Sequence, residues 1–411
     1  MYKKSKFNIF LITYTALLLI LPFGWWDNNL NMLGGDDTKI IYFNPSLYLN
    51  SIINSNVINF SQAESILIQE TSNAPFYAFL FVINKTLPFL NLQLLIFGMV
   101  LSFSFIGFYW MSSNMPGIKN ENSKSEEIIR FTAANMYTLS TFAIYTLWDH
   151  QLYPLIYMAS CPIIFGIFLR SSIKFSINKC LAASILIAFI PLYSNLPWLI
   201  PILICGIPFF FFMALNSPRN FLYTCVTIVV TSGILVFTIP LIAFTFQSYS
   251  SGMFLPDVIA GSVRAFLEVN SNNIAINFFA FIPPQQFQIS RLWLFQEYPI
   301  AYLIIQNATS CIVILLCILM GIVFFMNKKS LIKNNILMGI LLSYLLSFIL
   351  YTGGNKYIME ILARGMKDFS IFIMFRNNYD KFSLAVTIYS SILIIYALTT
   401  FNNLIQNYKK N

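Results

Sequence analysis

The chain reads as an all-α, polytopic membrane protein of about ten spans, and three observations predict it. Hydrophobic residues make up 58% of the 411 positions and charged residues 9%, with a mean hydropathy of +0.72. A soluble globular chain carries about 25% charged residues. The apolar runs approach the roughly 20 residues that one helical crossing requires. They are also long and unbroken, unlike the short alternating segments of a membrane barrel. Lipid offers backbone groups no partner, so spans of this kind must be helices.

The elements follow in order. Phe7–Phe23 comes after Met1-Tyr2-Lys3-Lys4-Ser5-Lys6, a signal-peptide-like start. The run ends in Pro22-Phe23-Gly24-Trp25-Trp26 with no small-residue cleavage site, so it is expected to be a retained anchor with an aromatic belt. Further spans are expected at Leu92–Met111, Phe131–Leu147, Leu152–Leu169, Phe221–Phe246, Pro299–Phe325, Ile336–Tyr351 and Phe382–Leu398. Cys180–Tyr193 and Leu196–Leu215 form a further pair, parted by Ser194-Asn195 and Pro197. Pro75–Leu90 is interrupted by Asn84, Lys85 and Pro88, so a half-inserted or in-plane helix is expected there.

Leaving Pro75–Leu90 outside the count puts both termini on one side. Fifteen of the 24 Lys and Arg then share that side with three of the 15 acids, Glu121, Glu126 and Glu127. Such an excess of cations marks the cytoplasm. The chain is thus expected to be a single domain, 1–411, of the cell membrane. Three sizeable loops face outward: 24–74, 247–298 and 352–381. Long loops in compact proteins tend to carry function.

Several classes drop out. The net charge of +9 is placed at membrane exits, which argues against nucleic acid as a partner. No Gly-rich phosphate loop of the Walker or dinucleotide type occurs, so an ATP-driven pump is not expected. The six cysteines, at 161, 180, 205, 225, 311 and 317, lie in or beside apolar spans without metal-ligand spacing and read as small core residues.

Chemistry concentrates in few places. Gly34-Gly35-Asp36-Asp37-Thr38-Lys39 sets two carboxylates and an ammonium just beyond the first span. A carboxylate at a membrane surface can take the proton of an attacking hydroxyl, and a neighbouring carboxylate raises the pKa of one of the two. The same residues also suit a turn or a helix cap. Lys39, Arg376 and Lys381 are cations suited to a departing phosphate, or to contact with lipid headgroups. Asp149 and His150, in the turn Trp148–Gln151, can wall an acceptor pocket. A lone His is weak support for a metal, and the acidic pair beside a phosphate leaves Mg²⁺ or Mn²⁺ open without establishing a coordination set. The aromatic and charged residues of 247–298 suit either a glycan cap or an interfacial cover, and Asn59-Phe60-Ser61 is a short sequon of the kind that arises often by chance.

Several stretches resemble a known family when taken in order. Asp37-Thr38-Lys39 and Asn44-Pro45-Ser46-Leu47-Tyr48-Leu49 are similar to an acidic first external loop. Ala74-Pro75-Phe76-Tyr77-Ala78-Phe79-Leu80 is similar to the segment closing it. Ala134–Ser140, the turn at Trp148–Gln151 and Tyr153-Pro154 are similar to the hairpin that follows. Phe375-Arg376-Asn377-Asn378-Tyr379-Asp380-Lys381-Phe382 resembles a late Leu-Arg-Asn-x-x-Lys-Phe element, with one residue more between Arg and Lys. Together they resemble the integral-membrane glycosyltransferases of the GT-C class, in particular the membrane portion of mycobacterial cell-wall arabinofuranosyltransferases. That resemblance implies an inverting transferase with a polyprenyl-phosphate-linked sugar donor and a glycan or lipid acceptor. The base would be Asp37 or Asp36, and Lys39, Arg376 and Lys381 would hold the donor phosphate. The rival readings are a lipid-linked oligosaccharide flippase or other transporter, and an O-antigen-type polymerase or ligase.

Overall fold

The computed structural model describes residues 2–24, 42, 44–47, 49, 74–115, 124–148, 152–189, 196–237, 335–352, 360, 363–365 and 378–408. Among them the regular structure is entirely helical, and no strand occurs. The helices are α1 (Tyr2–Ile20), α2 (Ala74–Thr86), α3 (Leu92–Ser112), α4 (Lys124–Thr138), α5 (Thr141–Trp148) and α6 (Leu152–Ile173). The series continues with α7 (Ile177–Phe189), α8 (Leu196–Asn216), α9 (Pro218–Phe237), α10 (Asn335–Thr352) and α11 (Asn378–Tyr408). Among the described residues five windows are long and apolar enough to cross a membrane: Phe7–Gly24, Leu92–Ser112, Pro154–Ile173, Trp198–Asn216 and Lys381–Thr399. Ile177–Phe189 and Ile336–Tyr351 are shorter apolar helices. The expected span Pro299–Phe325 lies outside the described residues.

One expected span is two helices. Phe131–Leu147 breaks at Leu139-Ser140, between α4 and α5. The Ser140 hydroxyl accepts the Ala143 N–H at 3.3 Å, an N-cap that starts a new helix in place of extending the old one. A continuous apolar pattern carries no trace of that side-chain bond. In contrast, α2 has 13 residues, about 20 Å of helix at ~1.5 Å per residue, which falls short of the ~30 Å hydrocarbon core. It stops at a turn containing Pro88, after which the Asn91 side chain caps α3 by accepting the Leu94 N–H at 3.2 Å. That length is compatible with a helix that does not cross.

Close approach of helices at small residues organises the bundle. α1 runs antiparallel to α3: a Cβ on Gly98 would collide with the Leu19 carbonyl oxygen, and the Ser102 hydroxyl donates to the Thr15 carbonyl at 3.0 Å. α3 lies against α6 where Gly107 faces Ile163 and Gly166 faces Trp110. α8 meets α10 where Gly339 lies against the backbone of Pro208 and Phe209. These are small-xxx-small contacts of the kind that join helices in lipid, at Gly98–Ser102 and Gly339–Ser343. Pro208 has no N–H and disturbs its own helix, and the next donor, the Phe209 N–H, bonds the Ser343 hydroxyl at 3.1 Å.

α11 is the axis. It packs against α4, α5, α6, α8 and α10. Its Tyr389 donates to the Ile202 carbonyl at 3.1 Å, and near its far end the Asn402 amide donates to Ser125 of α4 at 3.1 Å. At 31 residues, about 46 Å, it extends ten residues past the expected boundary at Leu398. The buried aromatics Tyr77, Phe97, Phe108, Tyr137, Phe209 and Tyr389 belong to one continuous hydrophobic core.

Candidate functional site

The starts of α5, α8 and α11 meet at one end of the bundle. Lys381 lies in the first turn of α11, and its Nζ stands 4.0 Å from the centroid of the Trp198 ring. Trp198 lies in the first turn of α8 and is buried, and its ring packs 6.1 Å from that of Phe142 in the first turn of α5. A cation over an indole face gains roughly 0.5–1 kcal/mol when exposed and about 2 when desolvated. The contact therefore fixes the ammonium and ties α11 to α8. The α11 N-terminus adds the partial positive charge of the helix dipole, so this end of the helix favours anions.

A few residues after Lys39 in sequence are described, and two of them reach the hydrophobic core. Tyr42 and Leu49 pack against it, and Pro45 is buried between them. The Asn44 side chain accepts the Leu47 N–H at 3.0 Å and the Ser46 hydroxyl at 2.6 Å, which closes a helical turn with proline in its favoured first position. Asn44–Leu47 is thus a capped helical turn.

Of the sequence-predicted site residues, Lys381 alone falls among the described residues. Asp36, Asp37, Lys39, Asp149, His150 and Arg376 lie outside them, as do most of the loops 24–74, 247–298 and 352–381. Trp198 is the partner that sequence reasoning missed. Its signal was weak but present: an aromatic directly after Pro197, at the mouth of an apolar run. Among the described residues no group of three or more His, Cys, Asp or Glu side chains gathers as metal ligands do.

The opposite end carries most of the described cations. Helix directions put Lys124, Arg130, Arg170, Lys174 and Arg219 there: the Asn220 amide donates to the Ile173 carbonyl at 2.8 Å, and Asn402 reaches Ser125. Arg130 pairs with Glu126 at 3.8 Å. Lys381 stands apart from this group, at the other end of the bundle's long axis. Compared with known proteins, the chain matches no family model, no curated protein and no solved structure.

Proposed function

We propose that this chain is a multi-pass membrane glycosyltransferase that moves a sugar from a polyprenyl-phosphate carrier to an acceptor hydroxyl at the outer face, with inversion. The carboxylate of Asp37, or of Asp36, takes the acceptor proton as the oxygen attacks the anomeric carbon. The bond from that carbon to the phosphate oxygen breaks, and its electron pair stays on the lipid phosphate. Lys39, Arg376 and Lys381 hold the charge that develops there.

One observation supports the reading: Lys381, a cation suited to a departing lipid phosphate, is fixed at the start of α11 against the buried Trp198 ring. Arg376 lies five residues before Lys381 in sequence, a tether of at most about 18 Å. A carrier-linked donor also suits a chain in which no nucleotide-binding motif occurs.

The test is sugar transfer in membranes by Asp36→Asn and Asp37→Asn variants, each checked for expression. Loss of a general base lowers the rate by about 10²–10⁴-fold, so one of the two is expected to fall by that factor. Undiminished transfer by both would end the proposal.

A further inference from the structure

A groove of 910 Å³ opens between α1, α2 and α3, at the upper end of the roughly 300–1,000 Å³ typical of ligand pockets. Its body is apolar, built by Leu11, Leu19, Ile83, Met99 and Ile106. The two ends differ. Asn8 and Tyr109 stand at the end where α1 begins and α3 closes. There Arg130 and Glu127 come close enough to Tyr109 for their charges to act on its hydroxyl. Arg130 carries a buried Nε without a hydrogen-bond partner among the described residues, and its ion pair with Glu126 is a long 3.8 Å. The adjoining first turns of α1 and α4 bear Lys3, Lys4, Lys6 and Lys124 in sequence. With Arg130 this makes five cations against Glu126 and Glu127.

From this pairing of an apolar channel with a cationic mouth, we propose that the groove holds one acyl chain of an anionic phospholipid from the leaflet facing the N-terminus. The phosphate lies against Arg130, at the end of the bundle where α1 begins. The apolar body accounts for the chain, and charge complementarity selects the headgroup. Clusters of Lys and Arg at a membrane surface attract anionic lipids in this way. The site lies at the end of the bundle away from Lys381 and does not depend on the sugar-transfer reading.

The experiment reconstitutes the full chain into phosphatidylcholine–phosphatidylglycerol nanodiscs, extracts it in mild detergent and counts retained lipids by native mass spectrometry. The expected result is one phosphatidylglycerol per chain. Met99→Trp, which fills the groove, should lower retention at least about tenfold by the loss of buried chain contacts. Val230→Trp, on the exposed face of α9, should leave it unchanged. Arg130→Gln should keep a lipid bound but weaken the preference for phosphatidylglycerol about fivefold, the effect of one cation at such a surface. If Met99→Trp does not fold, a photo-cross-linking residue at Ile106 replaces it, and capture of lipid is expected. No retained lipid, unchanged retention on filling, unchanged headgroup preference, or capture at Ile106 of this chain's own 299–325 segment or of a second copy overturns the proposal.

Discussion

The spanning windows of the first and last described helices, Phe7–Gly24 and Lys381–Thr399, have the same mean hydropathy, 1.9, yet 11% of the residues are buried in the first and 83% in the last. In water that difference would be written in the apolar content. In lipid it is not, because a leucine facing an acyl chain and one facing a neighbouring helix are equally well solvated. What separates the two helices is how many neighbours surround them, since α11 buries large Leu384, Ile388, Ile392 and Ile395 as well as small residues. α1 turns Ile9, Phe10, Ile12, Leu17 and Ile20 outward and meets α3 along a narrow seam. α11 buries Ala385, Thr387, Tyr389, Ser391 and Ala397, small or hydrogen-bonding residues that let five other helices approach it.

Substitutions sharpen this contrast, and their effects can be ranked. Tyr389→Ala removes a fully buried ring and its bond to Ile202, and should cost about 3–5 kcal/mol in unfolding from mixed micelles. A loss below 1 kcal/mol would show that α11 is not the axis of the fold. Next comes a matched pair of glycines. Gly339→Leu drives a side chain into the Pro208–Phe209 backbone between two core helices, and should cost about 1–3 kcal/mol. Gly98→Leu meets the Leu19 backbone, but α1 can move off into lipid. It should therefore raise thiol labelling of a cysteine placed at Thr15 while the remaining bundle unfolds at nearly its original denaturant concentration.

Smaller effects come last. Ser343→Ala leaves the Phe209 N–H without its cross-helix acceptor, and should cost about 0.6 kcal/mol, the mean for such bonds between membrane helices. Leu17→Ala, on the outward face of α1, should stay within about 0.5 kcal/mol in the same unfolding assay. A large loss there would mean that a protein surface, not lipid, covers that face.

Helix class and many positions were legible before any coordinates, because lipid allows an apolar run of this length few conformations. Leu92–Met111 and Leu196–Leu215 each fall within a residue of an observed helix. The break within Phe131–Leu147 was not legible: it depends on which N–H the Ser140 hydroxyl accepts, and Ser also occurs inside these helices, at Ser102, Ser184 and Ser343. The extent of α11 beyond Leu398 was hidden too, since Phe401–Tyr408 is too polar to read as span and its three Asn are weak helix formers. At the site, Lys381 could be picked out as a cation at a membrane exit. Its indole partner, 183 residues earlier, could not, because that pairing is set by how α8 and α11 dock.

The bond between the Phe209 amide and Ser343 has a bearing on biogenesis. The acceptor is synthesised 134 residues after the donor. At about 5–20 residues per second, α8 leaves the ribosome roughly 7–27 s before α10 can reach it. Throughout that wait the proline-disturbed turn lacks the neighbour that later completes it, in a medium where a bare amide is costly. The newly made helix must therefore be sheltered by water, by the insertion machinery or at the bilayer interface. Its final seating belongs to the last stage of assembly, when the C-terminal helices close over the earlier ones.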